Sequence, residues 1–320
     1  MQPQPKATKY FQDFVIGEKL DHGAVLVTPQ RHRHYWELTK DQNQAYAAPS
    51  SKTVHPLFLF HTVFGLSVHD ISYNAQANLE YARLRFLKPL LEGEVVHAFS
   101  EITGKQGKGP QRGIVYVRTW GQNGADERVL EYQRWVMVYQ DAGRPPDQQE
   151  NVPAISRELS LDELHIPAGR PVPGNAAPTL TPGTRYLHPE EQEIDIVLAT
   201  QVPVMTMNNA KVHFQDDHLV YGGAVISAAF SRLSRALPWH VHLGWNTGRH
   251  TAPTYPGQKV KAGYEVLGTW PAKGRPDLEV VRLRLFAERP VAEKERDKFK
   301  GDTVEVLTLD NFVAVPTSRM

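Results

Sequence analysis

Two passages of this chain read alike: F-L-K-P-L-L-E-G-E-V-V-H-A-F-S-E-I over Phe86–Ile102, and R-H-T-A-P-T-Y-P-G-Q-K-V-K-A-G-Y-E-V over Arg249–Val266. Pro89 falls on Pro253, Gly93 on Gly257 and Glu101 on Glu265, each 164 residues further on. Each copy is a Pro-x-x-x-Gly turn that enters an alternating strand. More alternating segments follow in both halves: G-I-V-Y-V-R-T-W (Gly113–Trp120) and V-L-E-Y-Q-R-W-V-M-V-Y (Val129–Tyr139), then L-E-V-V-R-L-R-L-F-A (Leu278–Ala287) and T-V-E-V-L-T-L-D-N-F-V-A-V (Thr303–Val315). Period-two alternation marks sheets with one wet face. Upstream of each turn lies a helical segment. Phe60, Val63, Phe64 and Leu66 space one over Leu57–Val68, and Val225, Ile226, Ala229, Phe230 and Leu233 space the other over Gly223–Leu237.

One helix followed by a long antiparallel sheet, twice over, predicts an α+β chain of double hot-dog form. Each sheet wraps its own central helix, and the two sheets join into one surface. The N-terminal unit is expected over residues 1–140 and the C-terminal unit over 184–320. Between them, 141–183 is rich in Pro, Gly, Gln and Asn and reads as a linker region, with some order around Leu159–Leu164 and Ser160 as a helix cap. With 320 residues, 41% hydrophobic and 22% charged, the chain is long enough for two such units. A net charge of +1 gives no general pull toward nucleic acid or a membrane surface. Cysteine is absent, which excludes disulfides, thiolate nucleophiles and cysteine metal sites. The first residues lack an apolar signal core, and no apolar run reaches spanning length. A cytoplasmic protein is expected.

The chemistry concentrates in N-N-A-K-V-H-F (Asn208–Phe214) and Y-G-G-A-V-I-S-A-A-F (Tyr221–Phe230). A polar loop carries one histidine, and a glycine turn opens an apolar helix. The histidine can move a proton, and the free N–H groups at a helix start can hold a developing oxyanion. That combination suits a thioester.

The same order of parts resembles hot-dog enoyl-CoA hydratases of the MaoC type, where the loop is D-x-x-x-x-H and the helix opens with H-G. Here the acid position reads Asn208 and the H-G position reads Tyr221-Gly222. Longer blocks narrow the likeness: the run from Phe60 through H-T-V-F-G-L-S-V-H-D-I-S-Y-N to Pro89, Y-Q-R-W-V-M-V, L-V-Y-G-G-A-V-I-S, G-R-H-T-A-P-T-Y-P-G, and the opening Y-F-Q-D-F-V-I-G-E. Together they resemble the mesaconyl-CoA hydratase (β-methylmalyl-CoA dehydratase) family over most of the chain apart from the linker. The resemblance implies reversible addition of water to a short branched dicarboxylyl-CoA. The acyl-CoA is then the partner, and coenzyme A is part of the substrate rather than a separate cofactor. It also implies a homodimer or larger assembly.

Within that frame His213 is the candidate acid/base, with Asn208 beside it to orient water, since an amide is no base at neutral pH. A carboxylate from elsewhere is the alternative, and Asp70, just past the first helix, is its candidate. Gly222 is the candidate oxyanion donor, with Gly223 and Tyr221 at the same helix start. A second carboxylate on the substrate asks for a cation: Arg249, with His250 beside it, is the first choice, and Arg85 and Arg83 are alternatives. The first half carries Tyr46 and Ser51 about where Asn208 and His213 stand, so one site per chain is expected, in the second half; His55, near the first helix start, is the residue that could partly restore a site in the first. Lys105 in K-Q-G-K-G is read as an exposed basic turn. R-H-R-H (Arg31–His34) and W-H-V-H (Trp239–His242) mimic metal spacing, but flanking arginines and missing acids argue for no metal. A hot-dog thioesterase and a non-catalytic acyl-CoA-binding protein are the competing readings.

Overall fold

A computed structural model describes residues 8–47, 51–167, 178–215 and 218–317. The N-terminal half runs β1 (Lys19–Leu26), α1 (Pro29–Thr39), α2 (Gln44–Ala47), α3 (Pro56–Ile71), β2 (Ala75–Phe86), β3 (Val95–Gly107), β4 (Arg112–Gln122) and β5 (Arg128–Tyr139). After the short β6 (Glu150–Asn151), the C-terminal half runs β7 (Arg185–Leu187), β8 (Gln192–Glu193), α4 (Ile196–Met205), α5 (Gly222–Ala236), β9 (Val241–His250), β10 (Lys259–Pro271), β11 (Leu278–Pro290) and β12 (Thr303–Pro316).

The sheet order is β1-β3-β4-β5-β2-β9-β12-β11-β10-β7. It reads the same from both ends once each strand is matched with its copy. The 164-residue shift carries β3 onto β10 end for end, and carries α3 onto α5. Gly93 and Gly257 both take the left-handed backbone, at φ +88° and +85°. Glycine does so without a Cβ penalty. The two turns are also tied alike. Gly93 N–H donates to Val27 C=O and Val27 N–H to Glu94 C=O, while Gly257 N–H donates to Ile194 C=O and Ile194 N–H to Gln258 C=O.

The expected central helices are present. α3 begins at Pro56, whose missing N–H is free in a first turn, and His55 Nδ1 accepts from Leu57 N–H at 3.2 Å. Both α3 and α5 are buried on nearly every side. An all-round apolar or small-residue helix belongs inside a wrapping sheet. The halves join where β2 pairs antiparallel with β9, setting Tyr81 against Gly248 and Leu84 against Trp245. One core runs across this joint, with Phe60, Tyr81, Phe230 and Trp245 in the same cluster.

The region between the halves lies along the outer face of the sheet. β6 pairs with β3, Leu159 N–H donates to Asn246 Oδ1 at 2.7 Å, and Leu159 and Leu164 pack with Trp239, Leu243 and Phe312. Residues 168–177 of it lie outside the described residues. Lys105 corrects the expectation of an exposed basic turn. It sits inside β3, is 2% exposed, pairs with Asp147 at 2.6 Å and lies over the Phe11 ring. The strand simply continues through K-Q-G, because β6 covers its edge.

Candidate active site

A cavity of about 320 Å³ opens between the halves at the start of α5. One wall is the C-terminal part of α3 with the start of β2: Phe64, Val68, Ser72, Asn78 and Tyr81. The other is the loop before α5, the first turn of that helix, and the chain leaving β9: Asn208, His213, Tyr221, Gly222 and His250.

His213 ends a 3-10 turn, Lys211–His213, and is buried. Its Nδ1 lies 2.8 Å from Leu219 C=O. A carbonyl can only accept, so Nδ1 carries the proton and Nε2 keeps its lone pair. Nε2 has no hydrogen-bond partner among the described residues. Burial pulls the imidazolium below the ordinary histidine value, partly offset by the Leu219 bond, so the ring is neutral at pH 7. Asn208 shapes this turn, its Oδ1 accepting from Ala210 N–H at 3.0 Å. Its Nδ2 is buried and unbonded. The loop thus offers a lone pair and a spare N–H to whatever fills the cavity.

α5 starts without a side-chain cap, leaving its first N–H groups to a ligand. Gly222 is required by a close approach: a Cβ there would stand 2.3 Å from His250 Nε2. His250 is partly buried, its Nε2 is buried and unbonded, and desolvation holds its pKa down to about 4. Tyr221 is anchored from behind by a polar chain through the core. Its O–H reaches His61 Nδ1 at 3.3 Å, His61 Nε2 reaches Ser227 Oγ at 3.2 Å, and Tyr35 O–H meets the same Oγ at 2.9 Å. Gly223 supplies the next helix N–H but does not line the cavity, because Tyr221 and His61 cover it.

Asn208, His213, Tyr221, Gly222 and His250 are therefore brought together. The other candidates are not. Asp70 faces His22 Nδ1 at 2.7 Å, away from the cavity, so it is the helix-end residue and not a substitute base. Arg249 precedes inward-facing His250 on β9 and so points to the opposite face, where its Nε donates to buried Glu80 at 2.6 Å. Arg85 pairs with Glu131 and Glu163, and Arg83 with Glu163, on that same outer face. None of these lines the cavity, and among the described residues lining it there is no Asp, Glu, Lys or Arg. Asn78 and Tyr81 were missed by sequence reasoning, which placed the first half only as an unspecified wall.

The matching place in the first half holds a void of only about 30 Å³. Phe86 stands where His250 stands in the other half, and Tyr46 and His242 fill the rest. His55 is buried there against Asp41, Trp36 and Tyr46.

Fold and site together define a double hot-dog protein with a buried histidine facing a helix N-terminus. A solved MaoC domain protein dehydratase from Chloroflexus aurantiacus superposes with a TM-score of 0.88, at 27% identity, over 98% of this chain and 99% of that one. A Mycobacterium tuberculosis protein with a double hotdog fold shares the fold at a TM-score of 0.77 and 19% identity, over 96% of this chain and 98% of that one. The chain belongs to the mesaconyl-CoA hydratase family, whose model matches residues 4–238. It is 32% identical to the mesaconyl-CoA hydratase of Cereibacter sphaeroides over 97% of this chain and 98% of that protein. It is 30% identical to the β-methylmalyl-CoA dehydratase of Chloroflexus aurantiacus, over 96% and 97% respectively.

Proposed function

We propose that this protein is a hydro-lyase that reversibly adds water to mesaconyl-CoA, giving β-methylmalyl-CoA, or acts on a close branched dicarboxylyl-CoA. The observation that carries the reading is the His213 tautomer. With Nδ1–H held by Leu219, the basic Nε2 is left in the cavity beside the free end of α5.

In the hydration direction His213 Nε2 takes a proton from water as the water oxygen bonds to the β-carbon. The electron pair of the double bond moves onto the thioester oxygen. The Gly222 N–H, at the uncapped start of α5, is the fixed donor for that oxyanion. The imidazolium then returns a proton to the α-carbon as the thioester carbonyl re-forms. One histidine serving both steps is the economical route, since no carboxylate lines the cavity among the described residues. Asn208 Nδ2 holds the water or the nascent hydroxyl. Coenzyme A enters as part of the substrate, and no separate cofactor is required by these steps.

In this reading the C-terminal unit (184–320) carries the catalytic groups and the N-terminal unit (1–140) supplies the facing wall. No helix among the described residues is long and apolar enough to cross a membrane. A cytoplasmic homo-oligomer is part of the same proposal. Tyr186 and Leu187, exposed on the short edge strand β7, are consistent with further association.

The test is enoyl-thioester absorbance with mesaconyl-CoA, β-methylmalyl-CoA and crotonyl-CoA, for wild type and His213→Ala. The expected result is rapid turnover of the dicarboxylyl pair by wild type and a loss of about 10²-fold or more in the variant. A variant as active as wild type would remove His213 from the chemistry.

A further inference from the structure

A dicarboxylyl-CoA brings a second carboxylate into a cavity whose described lining holds no cation. The arginines on neighbouring strands, Arg249, Arg85 and Arg83, are spent on Glu80, Glu131 and Glu163 at the outer face. On β5 an arginine points the other way. Leu130, Tyr132, Arg134, Val136 and Val138 share the inward phase, and Arg134 is fully buried. Its Nη2 donates to Ser67 Oγ at 2.9 Å. Its Nε and Nη1 have no hydrogen-bond partner, and no carboxylate pairs with it among the described residues.

A buried guanidinium without an anion is costly, and proteins ordinarily pair one or avoid it. The surroundings say where its anion comes from. The guanidinium lies 4.4 Å over the ring of Phe64, and Tyr81 stands directly across from Arg134 in the β2–β5 ladder. Phe64 and Tyr81 both line the cavity. So does Asn78, whose side-chain oxygen and nitrogen are also buried and unbonded. Arg134 does not itself line the cavity: its unspent Nε and Nη1 lie one side chain deep, beside Phe64 and Tyr81, and the unspent Nδ2 of Asn78 belongs to the same N-terminal wall. The other half has no counterpart. The residue across from Trp245, the copy of Tyr81, is Asn311, and its Nδ2 is already bound to Leu283 C=O at 3.0 Å.

We propose that Arg134, assisted by Asn78, receives the free carboxylate of the substrate and sets the preference for dicarboxylyl over monocarboxylyl thioesters. This rests on the hydratase reading above. The carboxylate of mesaconyl-CoA is attached to the β-carbon, the carbon that water attacks. Clamping it therefore fixes that carbon relative to His213 Nε2, and the planar fork of arginine suits two-point binding.

The experiment compares kcat/KM for mesaconyl-CoA and for crotonyl-CoA in wild type, Arg134→Met, Arg134→Lys and Arg249→Met. In Arg134→Met the mesaconyl-to-crotonyl ratio is expected to fall about 10- to 100-fold, while crotonyl-CoA turnover, itself the proof of a folded site, is kept or raised. Arg134→Lys keeps the charge but not the fork, so its ratio falls less. It also carries the test if the methionine variant does not fold. Arg249→Met leaves the ratio unchanged. A ratio within about twofold of wild type in the Arg134 variants, or a parallel loss on both substrates, overturns the clamp and leaves the hydratase reading standing. A wild type that hydrates crotonyl-CoA but not mesaconyl-CoA overturns the substrate reading itself.

Discussion

A single hydrogen bond decides what His213 can do. With its Nδ1 proton bound to Leu219 C=O, the ring presents a lone pair to the cavity. Burial then lowers its pKa from the ordinary 6.5, so the basic form persists to lower pH than in a free histidine. The acid limb of kcat/KM is therefore expected below about pH 6.5, with a plateau through neutrality. A pH–rate profile in wild type checks this. An acid limb centred above that value would argue that another group is the base. His250, held down to about 4, stays neutral throughout this window and acts as a hydrogen-bonding wall rather than a titrating one.

At the scale of elements, the site depends on how closely α5 meets β9. Gly222 opens the helix because His250 already occupies the space where a Cβ would go, at 2.3 Å. Gly222→Ala must push the imidazole or the helix start aside. The expected cost is about 1–3 kcal/mol of stability, measured by urea unfolding. In the proposed mechanism the Gly222 N–H holds the oxyanion and moves with the helix, so kcat should fall more than KM rises. Unchanged kcat in the alanine variant would mean that the thioester oxygen is held elsewhere. The same first turn is braced by the Tyr221–His61–Ser227–Tyr35 chain, which ties α5 to α3 and α1 through buried hydrogen bonds. A fully satisfied polar chain in a core specifies one arrangement of the helices.

Across the whole molecule, the core holds histidines that burial keeps neutral: His61 at about 3, and His240 and His250 at about 4, against 6.5 when exposed. Between these values the unfolded chain binds more protons than the folded one, so stability rises with pH in that window. The contribution is complete above about pH 6.5 and is lost as the pH falls toward 4. Urea midpoints at about pH 7 and about pH 4.5 are expected to differ clearly, the acid value being lower. Equal midpoints would show that these rings are not buried neutral. Duplication also sets a contrast between the two halves among the described residues. The two halves present equivalent clefts, and Phe86, Tyr46 and His242 fill one of them while polar groups line the other.

The duplicated hot-dog architecture was legible in the sequence because the Pro-x-x-x-Gly turns and the two repeat periods are local signals. A left-handed glycine and an alternating strand need no partner to be recognised. Asn208, His213 and Gly222 were legible for the same reason, lying close together on one loop and the helix it feeds. The direction of each strand side chain was not. Arg249 and His250 are neighbours in sequence and opposites in space, and only the β2–β9 joint decides which one meets the cavity. Arg134 left a trace as the charged residue in the inward, otherwise apolar phase of β5. What made it significant was the absence of an acidic neighbour, and that is settled by Tyr81, Ser67 and Phe64, distant in sequence and packed around it in the fold. Sequence determined the repeating units and the loop that carries Asn208 and His213. Tertiary structure alone decided which charges cancel one another and which are left for a ligand, because pairing depends on distances between strands that the chain order does not contain.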